Sequence, residues 1–437
     1  MAFVPIYIFI LGFTIIVDYF AGIYIENSEG SRRKLFLICS LCANIGVLAV
    51  FKYYNFLNDN LTILLHGLNY QNPIPYLSIL LPIGLSFHTF QAMSYTIEVY
   101  RKHQRAERHF GIYSLYVMFY PQLVAGPIER PQNLIHQFKE KHDFDYDRMV
   151  EGLKLMLWGF FKKLVIADRL AIYVNAVYNN YDQHTGMTLI LASIFFTIQI
   201  YCDFSGYSDI AIGAARVMGF KLMTNFNRPF FARNISEFWK RWHISLSTWF
   251  RDYLYIPLGG NRISIPRYYF NLFIVFFLSG LWHGANWTYI IWGSLHGFFS
   301  IFAIITQKLK NKVNKTIGIE KIPKLNHLLQ MLITSALFCF SMIFFRANST
   351  TDAIAIIKKI MTFKGSVFME NPSMLIYSFL GIFILFFVDA KKEFYKGKFF
   401  FLSNKSWIIR NLSYATLIII ILLIGVFDGG QFIYFQF

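Results

Sequence analysis

Apolar residues along this chain fall into long blocks separated by short basic loops. A bilayer core takes ~20 apolar residues per spanning helix. Blocks of that kind occupy 3–24, 35–51, 77–95, 270–282, 287–305, 328–345, 374–388 and 408–426. Weaker ones cover 110–124, 153–177 and 189–200. Those shorter than ~20 residues would be tilted, re-entrant or set in a thinned bilayer. The pattern predicts an all-α integral membrane protein with roughly ten membrane segments. It reads as one polytopic domain over 1–437. No unit recurs with a period of ~20–50 residues.

Composition agrees. Hydrophobic residues make up 56% of the chain and charged residues 15%, against roughly 45–50% and about 25% in soluble domains. Such a chain is too apolar for one water-soluble core and for disorder. Its formal charge of +17 would suggest nucleic acid on a soluble protein. On this apolar background it marks cytoplasmic loops and anionic lipid headgroups, so the expected partners are membrane lipids and not nucleic acid. The basic clusters at 32–34, 101–108, 308–324 and 391–398 should face the cytoplasm. The first segment then runs inward and Met1 lies outside, with no charged n-region or cleavage site to export it. Either an upstream helix precedes this sequence, which is the expectation, or the 32–34 cluster misleads.

Residues 201–262 mix aromatics, charges and glycines, which cannot face lipid throughout. Polar backbone at membrane depth is tolerated only inside protein or against water. The catalytic core is therefore expected within 201–300.

Within it, Asn234 reads as a helix N-cap with Glu237 in the first turn. Trp239, Trp242, Leu246 and Trp249 then recur at helical spacing, with His243 beside that stripe and Lys240, Arg241 and Ser247 opposite. Pro257, Gly259 and Gly260 end the segment. The expectation is one interfacial amphipathic helix carrying a histidine that is either functional or a hydrogen-bonded core residue. His283 sits in a strongly apolar stretch. Gly280 and Gly284 have the small-xxx-small spacing that admits another backbone, and Asn286 is spaced to share a helix face with His283. An apolar site disfavours a charged imidazole, which suits a neutral general base; the alternative is a histidine that pins two helices together. Asp203, Ser205, Ser208 and Asp209 form a third polar cluster. It reads as a structural network, paired with Arg216, Arg228 or Arg233, more readily than as metal or acid–base chemistry.

Other signals are weaker. Cys39 and Cys42 have redox spacing but no βαβ context, and read as small buried helix residues. Asp143, Asp145 and Asp147 begin like a calcium loop, yet Arg148 and Lys154 occupy its turn-glycine and bidentate positions. His296 would lie opposite His283 on a continuous helix. His88 is a secondary polar position in a membrane block. Phosphate-binding loops, nucleophile elbows and the zinc-protease motif are absent from the sequence.

Several stretches together resemble the bacterial membrane-bound O-acyltransferases (MBOAT), nearest to the branch that acetylates alginate and peptidoglycan. They are FWKRWHISLS over 238–247, WFRDYLYIPLGGNR over 249–262 and LWHGANW over 281–287. VAGPI over 124–128, the 201–213 segment, FRA over 345–347 and FIYFQF over 432–437 extend the likeness across nearly the whole chain. The resemblance implies a ring of roughly ten membrane helices around a central tunnel, with re-entrant and interfacial helices. It implies residence in the bacterial inner membrane. It makes His283 the general base and His243 the second signature histidine. Asn286, Trp282, Trp242, Asp203, Ser205 and Arg251 become candidates for substrate binding or support. It implies an acyl thioester donor on the cytoplasmic side, often acetyl-CoA, held by Lys and Arg through its phosphates. It implies a polysaccharide hydroxyl as acceptor, reached directly or through a periplasmic acetyltransferase, and no resident cofactor or metal. Donors near His243, Asn286 or backbone amides would stabilise the oxyanion. The competing readings are a transporter for a lipid-linked sugar and a non-catalytic scaffold.

The orientation is open to direct test. Single cysteines placed within 308–324 of a cysteine-free variant should react with an impermeant thiol reagent only after the cytoplasmic side is opened. Labelling from outside intact cells would overturn the topology.

Overall fold

In a computed structural model the chain is helical, and residues 7–78, 84–123, 126–395 and 401–427 are described. Residues 3–6 of the first apolar block, 79–83 of the third, 124–125 of the VAGPI stretch, 396–398 of the last basic cluster and all of 432–437 lie outside them. The chain divides into two compact units.

The first unit holds residues 1–152 and 211–223. Its helices are α1 (Tyr7–Asn27), α2 (Gly30–Leu48), α3 (Tyr54–Gly67), α4 (Leu85–Tyr100), α5 (Phe110–Val117) and the short α6 (Pro131–Leu134). A π-turn over Ala49–Tyr53 joins α2 to α3 in one run. α1, α2 and α4 pack on one another through buried Leu11, Ile15, Ile25 and Tyr95. The polar side of that packing is closed locally. Asp18 of α1 accepts hydrogen bonds from Ser40 at 2.6 Å and from Asn44 at 2.8 Å, both on α2.

The second unit holds residues 153–210 and 224–437. α7 (Tyr146–Phe160) enters it and continues through a π-turn, Phe161–Ala167, into α8 (Asp168–Tyr178). Then come α9 (Gly186–Val217), α10 (Ile235–Arg241), α11 (Ile244–Phe250), α12 (Ile265–His283) and α13 (Trp287–Ile305). The chain ends with α14 (Gln307–Ile317), α15 (Pro323–Arg346), α16 (Thr350–Ile360), α17 (Pro372–Phe394) and α18 (Trp407–Ile424). Local chemistry sets many of the starts. Pro lies in the first turn of α12, α15 and α17, where its missing N–H is not needed. Asn286, Ser349 and Asn371 cap α13, α16 and α17 with side-chain oxygens.

Among the described residues, seven helices are long and apolar enough to cross a membrane, fewer than the roughly ten read from the apolar blocks. The 110–124 block forms only the eight-residue α5, too short for a core of ~30 Å. The 153–177 block is helical but carries Lys162, Lys163, Asp168 and Arg169. The 270–282 block lies in α12, whose Arg267, Asn271 and His283 dilute its apolar character. The 189–200 block is one part of α9, 32 residues long. Of the most apolar window of α9, 78% is buried, against 11% for α18. α9 is therefore an inner helix, and α18 lies largely exposed on the outside, with Leu417 and Ile421 buried.

Glycine fixes the α12–α13 hairpin. A Cβ on Gly280 would collide with the Tyr289 carbonyl oxygen, and one on Gly293 with that of Phe276. The close backbone approach expected of Gly280 is thus present, and its partner is the next helix. Gly280→Ala should lower stability by about 1–3 kcal/mol through overpacking. Gly46→Ala, where a Cβ meets nothing within 4 Å, should be neutral or stabilising. Thermal unfolding of the two variants in detergent checks the pair, and equal behaviour would refute the packing argument.

Candidate active site

The helix expected across Trp239, Trp242, Leu246 and Trp249 is two helices. Asn234 caps α10 as expected, its Oδ1 accepting the Glu237 amide at 2.9 Å. At Trp242 the backbone is extended, and at His243 it is left-handed, with φ 43° and ψ 54°. α11 begins one residue later. A non-glycine residue in that region costs about 1–3 kcal/mol and persists only where the surroundings over-determine it. Here a strand-like segment does so. The Asn225 carbonyl accepts the Ile244 amide at 2.9 Å, and the Arg241 carbonyl accepts the Asn227 amide at 2.8 Å. Asn225 Oδ1 accepts the Ser245 amide at 3.2 Å. Two of the α11 amides that lack an intrahelical acceptor are satisfied by one asparagine.

The break turns the His243 ring inward. It is 1% exposed and meets the face of Phe204 edge-on, with centres 4.6 Å apart at 90°. Its neighbours also include Phe226 at 6.3 Å and Trp282 at 6.3 Å. Nδ1 lies 3.1 Å from Asn225 Oδ1. Burial pushes the imidazole pKa down to about 3, so His243 is neutral at physiological pH.

His283 is the last residue of α12, and extended Gly284 follows it. It is 5% exposed. Its ring packs on Trp282 at 4.9 Å and edge-on to Trp292 at 5.0 Å and Phe345 at 5.4 Å. Trp282 contacts both imidazoles, so the two signature histidines flank one indole.

The remaining candidates divide. Asn286 does not share a helix face with His283, because α12 ends before it. It caps α13, accepting the Thr288 amide at 3.0 Å and donating to the Asn348 carbonyl at 3.4 Å. Trp242 is buried against Phe226, Phe238 and Phe338. Arg251 is 58% exposed and pairs with Asp252 at 2.7 Å. Asp203 and Ser205 belong to a buried ionic network whose cations are lysines, not the arginines expected from sequence. Lys163 contacts Asp203 and Asp168 at 2.7 Å each. Lys162 pairs with Asp209 at 2.7 Å and donates to Ser205 at 2.9 Å. Arg228 instead pairs with Glu393, and Arg233 with Glu237. Burial alone would lower the Lys163 pKa, but Asp203 and Asp168 outweigh it and raise it above the ordinary lysine value.

Sequence reasoning missed Asn225, Phe204, Trp292 and His296 as neighbours. The hairpin places His296 against Trp292 and Trp239, at 5.0 Å each. Its Nε2 lies 2.9 Å from Ser341 Oγ. It thus joins the aromatic cluster around His283 instead of facing away. Cys39 and Cys42 lie on α2 but are exposed, since they sit on the side away from Asp18. Among the described residues no group of three His, Cys, Asp or Glu side chains could hold a metal ion.

The model of the MBOAT, membrane-bound O-acyltransferase family, matches residues 87–343, a span that contains both histidines. The chain belongs to the membrane-bound O-acyltransferase family. It is similar to "Probable alginate O-acetylase AlgI" of Pseudomonas aeruginosa, 40% identical over 337 residues, covering 76% of this chain and 62% of that protein. It is also similar to the peptidoglycan O-acetyltransferase of Helicobacter pylori, 35% identical over 382 residues, covering 80% of this chain and 69% of that protein. The teichoic acid D-alanyltransferase of Bacillus subtilis is 28% identical over 228 residues, which are 49% of this chain and 56% of that one. The chain spans 62–66% of the length of the first three alginate relatives. As a member of this family, with seven apolar helices of spanning length among its described residues, it is an integral membrane protein.

The lysine network yields a stability test. Lys163→Met leaves two buried carboxylates facing each other and should cost about 3–5 kcal/mol. Adding Asp203→Asn should recover part of the loss. Thermal unfolding in detergent reads both, and an Asp203 whose removal abolished turnover without altering stability would contradict a structural role.

Proposed function

We propose that this chain is an O-acyltransferase of the bacterial inner membrane. In this reading it moves an acetyl group from a cytoplasmic thioester of the acetyl-CoA class to a hydroxyl of an exported polysaccharide of alginate type. The transfer is direct or passes through a periplasmic acetyltransferase. The observation that carries the reading is the pairing of buried His283 and His243 on one indole, in a chain matched to this family across that region. A peptidoglycan acceptor is the second reading, favoured by the Helicobacter pylori relative, whose match covers 69% of its length.

The chemistry is one substitution at carbonyl carbon. The acceptor hydroxyl oxygen attacks the thioester carbon, the O–C bond forms and the C–S bond breaks. The hydroxyl proton passes to the imidazole of His283 and from there to the departing thiolate, leaving an ester and a free thiol. Trp282, Trp292 and Phe345 wall that imidazole with apolar rings, which in this reading limits hydrolysis of the thioester. The capping amide of Asn286 is committed to the start of α13, so its part in this reading is to hold the turn that follows His283.

His283→Asn retains hydrogen-bonding capacity and removes the base. The purified protein in nanodiscs, supplied with radiolabelled acetyl-CoA and either the polysaccharide or the periplasmic partner, should lose at least ~10²-fold in acetyl transfer. Donor binding should stay near wild type. Full activity in His283→Asn ends the general-base assignment. A wild type that moves a lipid-linked sugar and transfers no acetyl group ends the acyltransferase reading.

A further inference from the structure

The hydrogen bonds around His243 determine which of its ring nitrogens carries the proton. A neutral imidazole has one N–H and one lone pair. Amide oxygen and nitrogen look alike, so the orientation of an asparagine has to come from its partners. For Asn225 a backbone group decides. The Ser245 N–H donates to one end of the amide at 3.2 Å, and only an oxygen can accept it. The Ser245 hydroxyl is a further donor to the same atom at 2.9 Å. The other end, Nδ2, donates to Ser208 Oγ at 3.2 Å, a hydroxyl able to accept. Oδ1 therefore faces Nδ1 of His243 at 3.1 Å as an acceptor, and Nδ1 must be the protonated nitrogen.

We propose that Asn225 is a positioning residue that holds His243 in the Nδ1–H tautomer, so that Nε2 meets the acyl-transfer chemistry as a hydrogen-bond acceptor. The proposal rests on the acyltransferase reading. It narrows the role of the second histidine. A neutral imidazole fixed this way cannot donate from Nε2 to an oxyanion. It can accept from the attacking hydroxyl or from the thiol that leaves, and either contact orients an O–H or S–H for the exchange at His283. The same asparagine holds the left-handed backbone that aims the ring, so direction and polarity are set together. Asn225 is fully buried, at 0% exposure, and one carbonyl and one amide supply both functions.

The test separates the tautomer from activity. The full chain, labelled with ¹⁵N-histidine in nanodiscs, should show a His243 with protonated Nδ1 and unprotonated Nε2, its signals assigned by their loss in His243→Gln. The reverse tautomer overturns the proposal. Asn225→Ala keeps the backbone carbonyl that accepts the Ile244 amide but removes the acceptor for Nδ1. It should release the tautomer and lower kcat about 10–100-fold, with KM unchanged. Asn225→Asp restores an acceptor oxygen and should recover most of kcat together with the ¹⁵N signature. Ser208→Ala, which touches only the far end of the amide, should leave both near wild type. If Asn225→Asp is no better than Asn225→Ala, or the Asn225→Ala loss tracks unfolding temperature alone, Asn225 is structural and the proposal fails. A wild type without acyl transfer would sink the acyltransferase reading on its own, because the ¹⁵N signature is read without turnover.

Discussion

In an apolar interior every backbone amide needs an acceptor, and the candidate site depends on how that demand is met at one point. Between α10 and α11 the chain leaves helical geometry for two residues, and Ile244 and Ser245 lose the carbonyls a continuous helix would offer. His243 and Ser245 are buried there. Asn225 supplies both acceptors, its backbone carbonyl to Ile244 and its side-chain oxygen to Ser245, and loss of the side chain would leave the buried Ser245 amide without this acceptor at about 1–3 kcal/mol. With the break in place His243 turns toward Phe204 and Trp282. A continuous helix would leave it beside the tryptophan stripe with no relation to α12.

The second constraint is electrostatic. α9 is a largely buried helix and carries Asp203, Ser205 and Asp209 as well as Phe204, which packs against His243. Carboxylates at such a position need cations of their own. The π-turn over Phe161–Ala167 provides them by presenting Lys162 and Lys163 side by side. Its extra residue per turn shifts the helix face, and π-turns of this kind recur at functional positions. The ionic network anchors α9, so that Phe204 stands at a fixed place for the imidazole. Asp203 and Ser205 are held by Lys163 and Lys162 on the same helix that carries Phe204.

Much of this was legible from the chain because it depends on local pattern. Apolar blocks marked the long helices, Asn234 and Pro257 marked ends of the signature segment, and Gly280 marked a close approach. The two histidines stood out as polar groups in apolar or aromatic surroundings. What remained hidden depends on tertiary partners. Asn225 precedes His243 by eighteen residues, and no helical or strand period links them. The left-handed turn at His243 falls at a tryptophan–histidine pair that has every local reason to continue a helix. Lys162 and Lys163 sit inside an apolar block, where hydropathy averaging erases them. His296 was set apart from His283 by assuming one helix across Gly284, whereas the chain turns there and folds α13 back on α12.

The two histidines sit in different aromatic surroundings. The ring contacts of His283 include Trp282, Trp292 and Phe345 at 4.9–5.4 Å, which fix its position among α12, α13 and α15. The ring of His243 is tied through Nδ1 to an oxygen that is itself held by a backbone amide. That tie fixes hydrogen-bond polarity, and a residue so fixed is better at presenting a lone pair than at exchanging protons. Both imidazoles lie against the Trp282 ring, with centres at 6.3 Å for His243 and 4.9 Å for His283. Under the proposed acyltransferase reading, an acceptor hydroxyl is oriented by His243 and deprotonated by His283, with each imidazole returning to its starting state after the thiol departs.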